Sequence, residues 1–206
     1  MYVKICGLTT KDEVDYLKEN KVDFCGMVLF FEKSKRNISV EKAKEIIDRL
    51  RLEEPSSTIK AVAVTVSPNA EQVKEIEKAG FDYIQIHGVI DDDLIRNCSI
   101  PVLKAFNVDD LEKYEHYLSI DNIKGFVFDA GEPGSGKTFD WNMLSSLSRD
   151  SNRLYILAGG LTADNVKRAI DTVNPDGVDV SSGVEYSDKP GKDSAKITEF
   201  CNAVKS

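Results

Sequence analysis

The chain has 206 residues, 41% hydrophobic and 30% charged, with a formal net charge of −8 at pH 7. This suits a single soluble domain with enough chain to bury a core, and the acidic balance argues against a nucleic-acid partner, which calls for a basic surface. No apolar run approaches the ~20 residues of a membrane helix, and the opening MYVKICGLTT lacks a signal peptide's apolar stretch, so a cytoplasmic chain with no membrane partner is expected.

The first strand-like run is YVKICG (2–7), followed by TKDEVDYLKEN (10–20), where Thr10 and an acidic first turn mark a helix start. FCGMVLF (24–30) precedes SVEKAKEIIDRLR (39–51), a helix capped by Ser39. IKAVAVTV (59–66) precedes SPNAEQVKEIEKAG (67–80), with Pro68 near the helix start and Gly80 just past its end. YIQIHG (83–88), the short helix DDDLIRNC (91–98), PVLKAF (101–106) and NVDDLEKYEHYL (107–118) continue the alternation. GFVFDA (125–130), LYILAGG (154–160) and GVDVSSG (177–183) bring the strands to eight, with helices at TADNVKRAIDTV (162–173) and DSAKITEFCNAVK (193–205). Such alternation implies parallel strands with crossover helices, as a doubly wound sheet or a closed barrel. No linker or composition break divides residues 1–206.

Strand faces decide between the two. Alternate residues of a strand point opposite ways. Lys4 and Cys6 oppose Val3 and Ile5, Gln85 and His87 oppose Ile84 and Ile86, Asp129 shares a face with Val127, and Asp179 and Ser181 oppose Val178 and Val180. Both faces of a doubly wound sheet lie under helices, where these polar groups would be hard to satisfy. In a barrel they meet at the mouth, where barrel active sites sit. The expected fold is therefore α/β, a single (β/α)8 TIM barrel.

Two glycine-containing loops, AGGL (158–161) and SSGVE (181–185), end the seventh and eighth strands. Loops at these two places of a barrel frequently bind phosphate through backbone N–H groups, and glycine lets the backbone come close. Gly159, Gly160, Ser181, Ser182 and Gly183 are the candidates. GEPGSGKT (131–138) fits the nucleotide phosphate-loop pattern, but Thr138 is followed by Phe139 and Asp140, with the next helix starting only after an Asp140 cap. A phosphate loop runs straight into its helix, so a nucleotide hydrolase is disfavoured. The cysteines, Cys6, Cys25, Cys98 and Cys201, include no CxxC pair, and the histidines are only His87 and His116, so no metal site is expected. Cys25, Cys98 and Cys201 read as small buried hydrophobes.

KICGLT (4–9), SKR (34–36), QIHG (85–88), LKAF (103–106), FDA (128–130), GSGKTFDW (134–141), LAGGLTADNV (157–166), GVDVSSGVE (177–185) and PGKD (190–193) occur in order over nearly the whole chain. With them the chain resembles the phosphoribosylanthranilate isomerases of tryptophan biosynthesis. The resemblance implies a cofactor-independent isomerase whose small-molecule partner is a phosphosugar. Its reaction is the Amadori rearrangement of N-(5-phosphoribosyl)anthranilate to 1-(2-carboxyphenylamino)-1-deoxyribulose 5-phosphate. It implies Asp129 as general acid, Cys6 as general base, Arg36 on the anthranilate carboxylate, a loop after strand six closing over the substrate, and Trp141 as a packing residue. The pattern departs at Lys35, where a proline is commoner. Gln85, His87 and Asp179 are further substrate-binding candidates. Opening the furanose and moving the C2 proton needs one acid and one base on opposite sides of the sugar. A free thiol near pKa ~8.5 is only a few per cent thiolate at pH 7, and a free carboxyl near ~3.9 is ionised. Asp129 therefore has to be kept protonated, and Lys4, on the face of Cys6, is the expected source of a field favouring the thiolate. A pentose-phosphate epimerase would want metal-binding histidines, and an inert scaffold barrel would not need Cys6, Arg36 and Asp129 together. Monomer and homodimer both stay open.

Overall fold

The computed structural model describes residues 1–52, 58–129 and 138–206. Its parallel strands are β1 (Tyr2–Cys6), β2 (Phe24–Val28), β3 (Lys60–Val66), β4 (Tyr83–His87), β5 (Val102–Asn107), β6 (Ile123–Asp129), β7 (Leu154–Leu157) and β8 (Gly177–Val180). They pair in chain order and close by a ladder between β1 and β8, which gives the expected (β/α)8 barrel and rules out the doubly wound sheet. The helices are α1 (Glu13–Glu19), α2 (Val40–Leu52), α3 (Ala70–Ala79), α4 (Asp92–Arg96), α5 (Tyr114–Tyr117), α6 (Val166–Val173) and α7 (Ser194–Lys205). Among the described residues, no helix is long and apolar enough to cross a membrane.

Strand alternation produces two cores. Inward-facing Phe24, Val62, Val64, Leu103, Ala105, Val127, Ile156 and Ala158 fill the barrel. Outward-facing residues such as Ile5, Met27, Ile84, Ile86, Phe126 and Phe128 pack beneath the helices, with buried Cys25, Cys98, Cys201 and Trp141. Helix α5, at four residues, is too short to hold by its own propensity. Tyr114 anchors it: the ring packs edge-on against Phe126 at 4.8 Å, and the hydroxyl bonds Ser148 O at 2.7 Å and the Tyr155 hydroxyl.

The caps follow the sequence in most places. Asn69 and Gln72 form a reciprocal capping box on α3, and Gly80 ends it at φ 89°. Ser39 accepts from Lys42 N, and Asp140 caps a short 3-10 helix, Trp141–Ser146, in place of the full helix expected there. Helix α1 differs, starting at Glu13 with no Thr10 cap. The Glu13 carboxylate takes the Thr9 and Thr10 amides at 2.7 and 3.1 Å, so the first helical residue holds the chain that leads into it. Helix α6 starts late, at Val166, because Asn165 Oδ1 accepts the Thr162 amide in a turn ahead of it. Strands β7 and β8 stop at Leu157 and Val180, earlier than expected, which leaves both glycine loops outside the sheet.

The amino-terminal rim carries a recurring clamp. Asp23, Asp82 and Asp176 precede β2, β4 and β8. Each donates its amide to the preceding strand and takes an amide from that strand on its carboxylate, pairing with Val3, Ala61 and Tyr155 at 2.8–3.0 Å. Asn122 holds the corresponding place before β6, its side chain donating to the carbonyls of Ile95, Cys98 and Ile100. Replacing Asp23 with alanine strands the Val3 amide and is expected to lower stability by about 1–2 kcal/mol. Urea midpoints check this, with turnover per folded molecule unchanged because the clamp lies at the opposite end from Cys6.

Candidate active site

Pleating turns the last inward side chain of each strand toward the carboxyl-terminal mouth. Those side chains include Cys6, His87, Asn107 and Asp129, with Ser181 just past β8; one layer below lie Lys4, Gln85 and Asp179. The predicted candidates from four strands thus share one end of the barrel with Asn107. Asp129 ends β6, half-buried and opposite Asn107 in register.

Lys4 Nζ meets Asp179 Oδ2 at 2.7 Å, the two side chains 1% and 6% exposed. Burial opposes the Lys4 charge, but Asp179 and Cys6 outweigh it and hold the ammonium above its usual range. For Cys6 the balance falls the other way: burial pushes the thiol up, Lys4 and Lys192 pull it down, and Asp179 works against them. The net shift is upward. Lys4 thus acts on Cys6 in the expected direction, but burial outweighs it, and Asp179 adds to the burial. The space for Cys6 and Lys4 comes from Gly26, opposite Cys6 in register. A methyl there would lie 2.9 Å from Cys6 Sγ and 3.2 Å from Lys4 Nζ.

His87 is pushed down to about 3, by burial first and then by the charges of Lys104 and Lys4. Its ring is neutral at pH 7, and Gln85 Nε2 lies 2.9 Å from His87 Nε2. Lys104 points outward from β5 into the helix layer and donates to the carbonyls of Ile86 and Gly88, on either side of His87, and of Ala105. Burial, more than any neighbouring charge, lowers it to about 8.

On the far side of the mouth, Arg36 Nε donates to Glu185 Oε1 at 2.5 Å, and Lys35 and Lys192 bond the same carboxylate at 2.8 and 3.3 Å. Burial alone would raise Glu185, but these three cations bring it down to about 2. Gly7, at φ 82°, lets the chain after β1 run against the arginine stem, where any side chain at this position would collide with Arg36 Cδ.

The glycine loops pack on each other: a methyl on Gly183 would collide with Leu161 O, while Gly159 and Gly160 take φ 83° and 64°. Among the described residues, the amides of Gly159, Gly160, Ser182 and Gly183 donate to no protein acceptor. Ser181 differs, since its hydroxyl donates to Cys6 O at 2.9 Å and is committed within the fold. The loop after β6 and all but Thr138 of the phosphate-loop look-alike fall on residues 130–137, outside the described residues; Thr138 itself does not enter a helix, since residues 138–140 are irregular.

Several buried polar atoms of the site find no hydrogen-bond partner among the described residues: Arg36 Nη2, Gln85 Oε1, Asn107 Oδ1 and Asp179 Oδ1. Buried polar atoms are otherwise almost always paired, so this set is what a polar ligand would satisfy. Asn107, Glu185, Lys192 and Lys104 received no role from the sequence. Asn107 was visible in principle, two residues beyond Ala105 on the inward face. Glu185 was not, because 149 positions separate it from Arg36. Among the described residues, no group of His, Cys, Asp and Glu is placed to hold a metal ion.

The family model for N-(5'phosphoribosyl)anthranilate (PRA) isomerase matches residues 3–203. The N-(5'-phosphoribosyl)anthranilate isomerase of Streptococcus mutans is 38% identical over 98% of both chains. Monomers generated from the dimeric phosphoribosylanthranilate isomerase of Thermotoga maritima superpose with TM-score 0.81 at 34% identity, covering 100% of this chain and 98% of theirs. A phosphoribosylanthranilate isomerase in complex with reduced 1-(o-carboxyphenylamino)-1-deoxyribulose 5-phosphate superposes with TM-score 0.80 at 33% identity, covering 100% and 98%.

The environment of His87 has a measurable sign. Its folded value lies near 3 against an ordinary 6.5, so the unfolded chain binds its proton first. The associated stability is whole above about 6.5 and lost as pH falls toward 3. By NMR, the His87 ring shifts are expected to stay flat from pH 8 to 5; a midpoint near 6.5 would contradict the burial described.

Proposed function

The chain belongs to the N-(5'-phosphoribosyl)anthranilate isomerase family, and on that premise we propose that its barrel mouth converts N-(5'-phosphoribosyl)anthranilate to 1-(2-carboxyphenylamino)-1-deoxyribulose 5-phosphate in tryptophan biosynthesis. The observation that carries the reading is Arg36 Nη2, a buried guanidinium nitrogen without a protein partner among the described residues, on the same rim as Cys6 and Asp129. Such a nitrogen suits a carboxylate, which a guanidinium binds through paired hydrogen bonds. The unpaired amides of Gly159, Gly160, Ser182 and Gly183 support a phosphate at the opposite end of the ligand, with Ser181 setting where that loop leaves β8. Gln85, His87 and Asp179 then face the ribose, with an unpaired oxygen on both Gln85 and Asp179 to accept from sugar hydroxyls.

Protons move in two stages. Asp129, in its acid form, protonates the furanose oxygen; the C1–O bond breaks and the aryl nitrogen's lone pair closes a cationic imine. Cys6 as thiolate then removes the C2 proton, and those electrons neutralise the iminium as an enolamine, which tautomerises to the ketone. The raised Cys6 thiol fits this order. Lys4 alone does not ionise it, and the positive imine formed in the first stage adds the missing field beside C2.

Cys6→Ser and Asp129→Asn are each expected to lower kcat by about 10²–10⁴-fold, the usual worth of a general acid or base. Loss of substrate fluorescence on turnover measures it, and wild-type rates in both variants would sink the assignment. Lys4→Met is expected to move Cys6 alkylation to higher pH; an unchanged alkylation profile would show that Lys4 contributes nothing to the thiolate.

A further inference from the structure

The charges around Arg36 do not balance. Glu185 accepts from Arg36, Lys35 and Lys192 at once. Lys35 is 73% exposed and solvated, but the Arg36 and Lys192 side chains are 12% and 0% exposed. Glu13, the other carboxylate close by, takes the backbone amides of Thr9, Thr10 and Lys192. Among the described residues, two buried cations therefore share one carboxylate, and Arg36 Nη2 is still without a partner. A buried charge is stable only when paired and hydrogen-bonded, so this cluster lacks one anion.

The identity of the engaged nitrogen matters. A guanidinium offers its donors in a rigid planar fork, so a bond at one edge fixes where the rest point. We propose that Glu185 determines specificity at this subsite: by holding Nε it fixes the plane of Arg36 and presents the Nη end to an ortho-carboxylate on an aromatic aglycone, and by being the one carboxylate among three cations it leaves a neutral aglycone disfavoured. This deepens the Arg36 reading above and rests on it. Lys192 ties the arrangement to the chemistry. Its ammonium donates to Ser181 O and Oγ at 3.1 and 3.3 Å, and the Ser181 hydroxyl donates to Cys6 O. Glu185 thereby holds Arg36 in a fixed relation to the strand that carries Cys6. It is a positioning residue, acting through Arg36 with no contact of its own to the reacting atoms.

The test uses two unreactive probes, 1-(2-carboxyphenylamino)-1-deoxyribitol 5-phosphate and its phenylamino counterpart without the carboxylate, bound to the whole protein in calorimetry. Wild type is expected to prefer the carboxylated probe. Glu185→Gln is expected to shrink that preference about tenfold, through the carboxylated probe alone, and to raise KM by about the same factor with a smaller change in kcat. Should Glu185→Gln fail to fold, Glu185→Asp, which keeps the charge but withdraws it, carries the test with an intermediate preference. An unchanged preference in the Glu185 variants, alongside its loss in Arg36→Met, overturns the proposal and leaves the Arg36 reading standing. Tighter binding of the carboxylated probe by Glu185→Gln also overturns it, marking Glu185 as a competitor. A preference that survives Arg36→Met refutes the Arg36 reading itself.

Discussion

The structure turns on the closure of β8 against β1, where Lys4 and Asp179 meet inside the barrel although 175 positions apart in the chain. Neither charge is tolerable alone at that depth, since an unpaired buried ion costs several kcal/mol. The ladder that closes the sheet and the ion pair therefore depend on each other. Closure sets Lys4 beside Cys6, and Gly26 on the neighbouring strand leaves room for both. Much of the mouth's electrostatics follows from that seam, including the pull of Lys4 that works against burial at the Cys6 thiol.

Three buried lysines reach stability by different routes. Lys4 has its own carboxylate. Lys192 shares Glu185 with two other cations. Lys104 has none among the described residues, and rests on three carbonyl oxygens with the rings of Phe106 and Tyr117 about 5 Å from its charge. The first arrangement is closed, and the second still has affinity for an anion. The third fixes the end of β4, where Gly88 turns away at φ 69°. Identical side chains thus brace, attract or pin according to what surrounds them.

The barrel was legible because its signals are local. Period-two strands, caps such as Asn69 and Ser39, and terminators such as Gly80 are each decided within a few residues. The inward positions of Cys6, Gln85, His87, Asp129 and Asp179 followed from parity alone. What escaped depended on residues far apart in the chain: Glu185 against Arg36, Lys192 beneath Ser181, and Asp179 against Lys4. The errors at helix starts have a related cause: Glu13 and Asn165 spend their side chains on amides of the turn ahead of the helix, and no pattern in the sequence announces that use.

The aspartate clamps at the opposite rim divide the barrel in another way. Asp23, Asp82 and Asp176 each join an odd-numbered strand to the even one after it, β1 to β2, β3 to β4 and β7 to β8. The seams between β2 and β3 and between β4 and β5 carry ladder bonds but no such carboxylate bracket among the described residues. The wall is thus assembled from strand pairs, with stronger stitching inside a pair than between pairs. Moving the chain ends by circular permutation should then be gentlest where a new opening falls between brackets, as in the connection from α2 to β3, and harshest where it divides one.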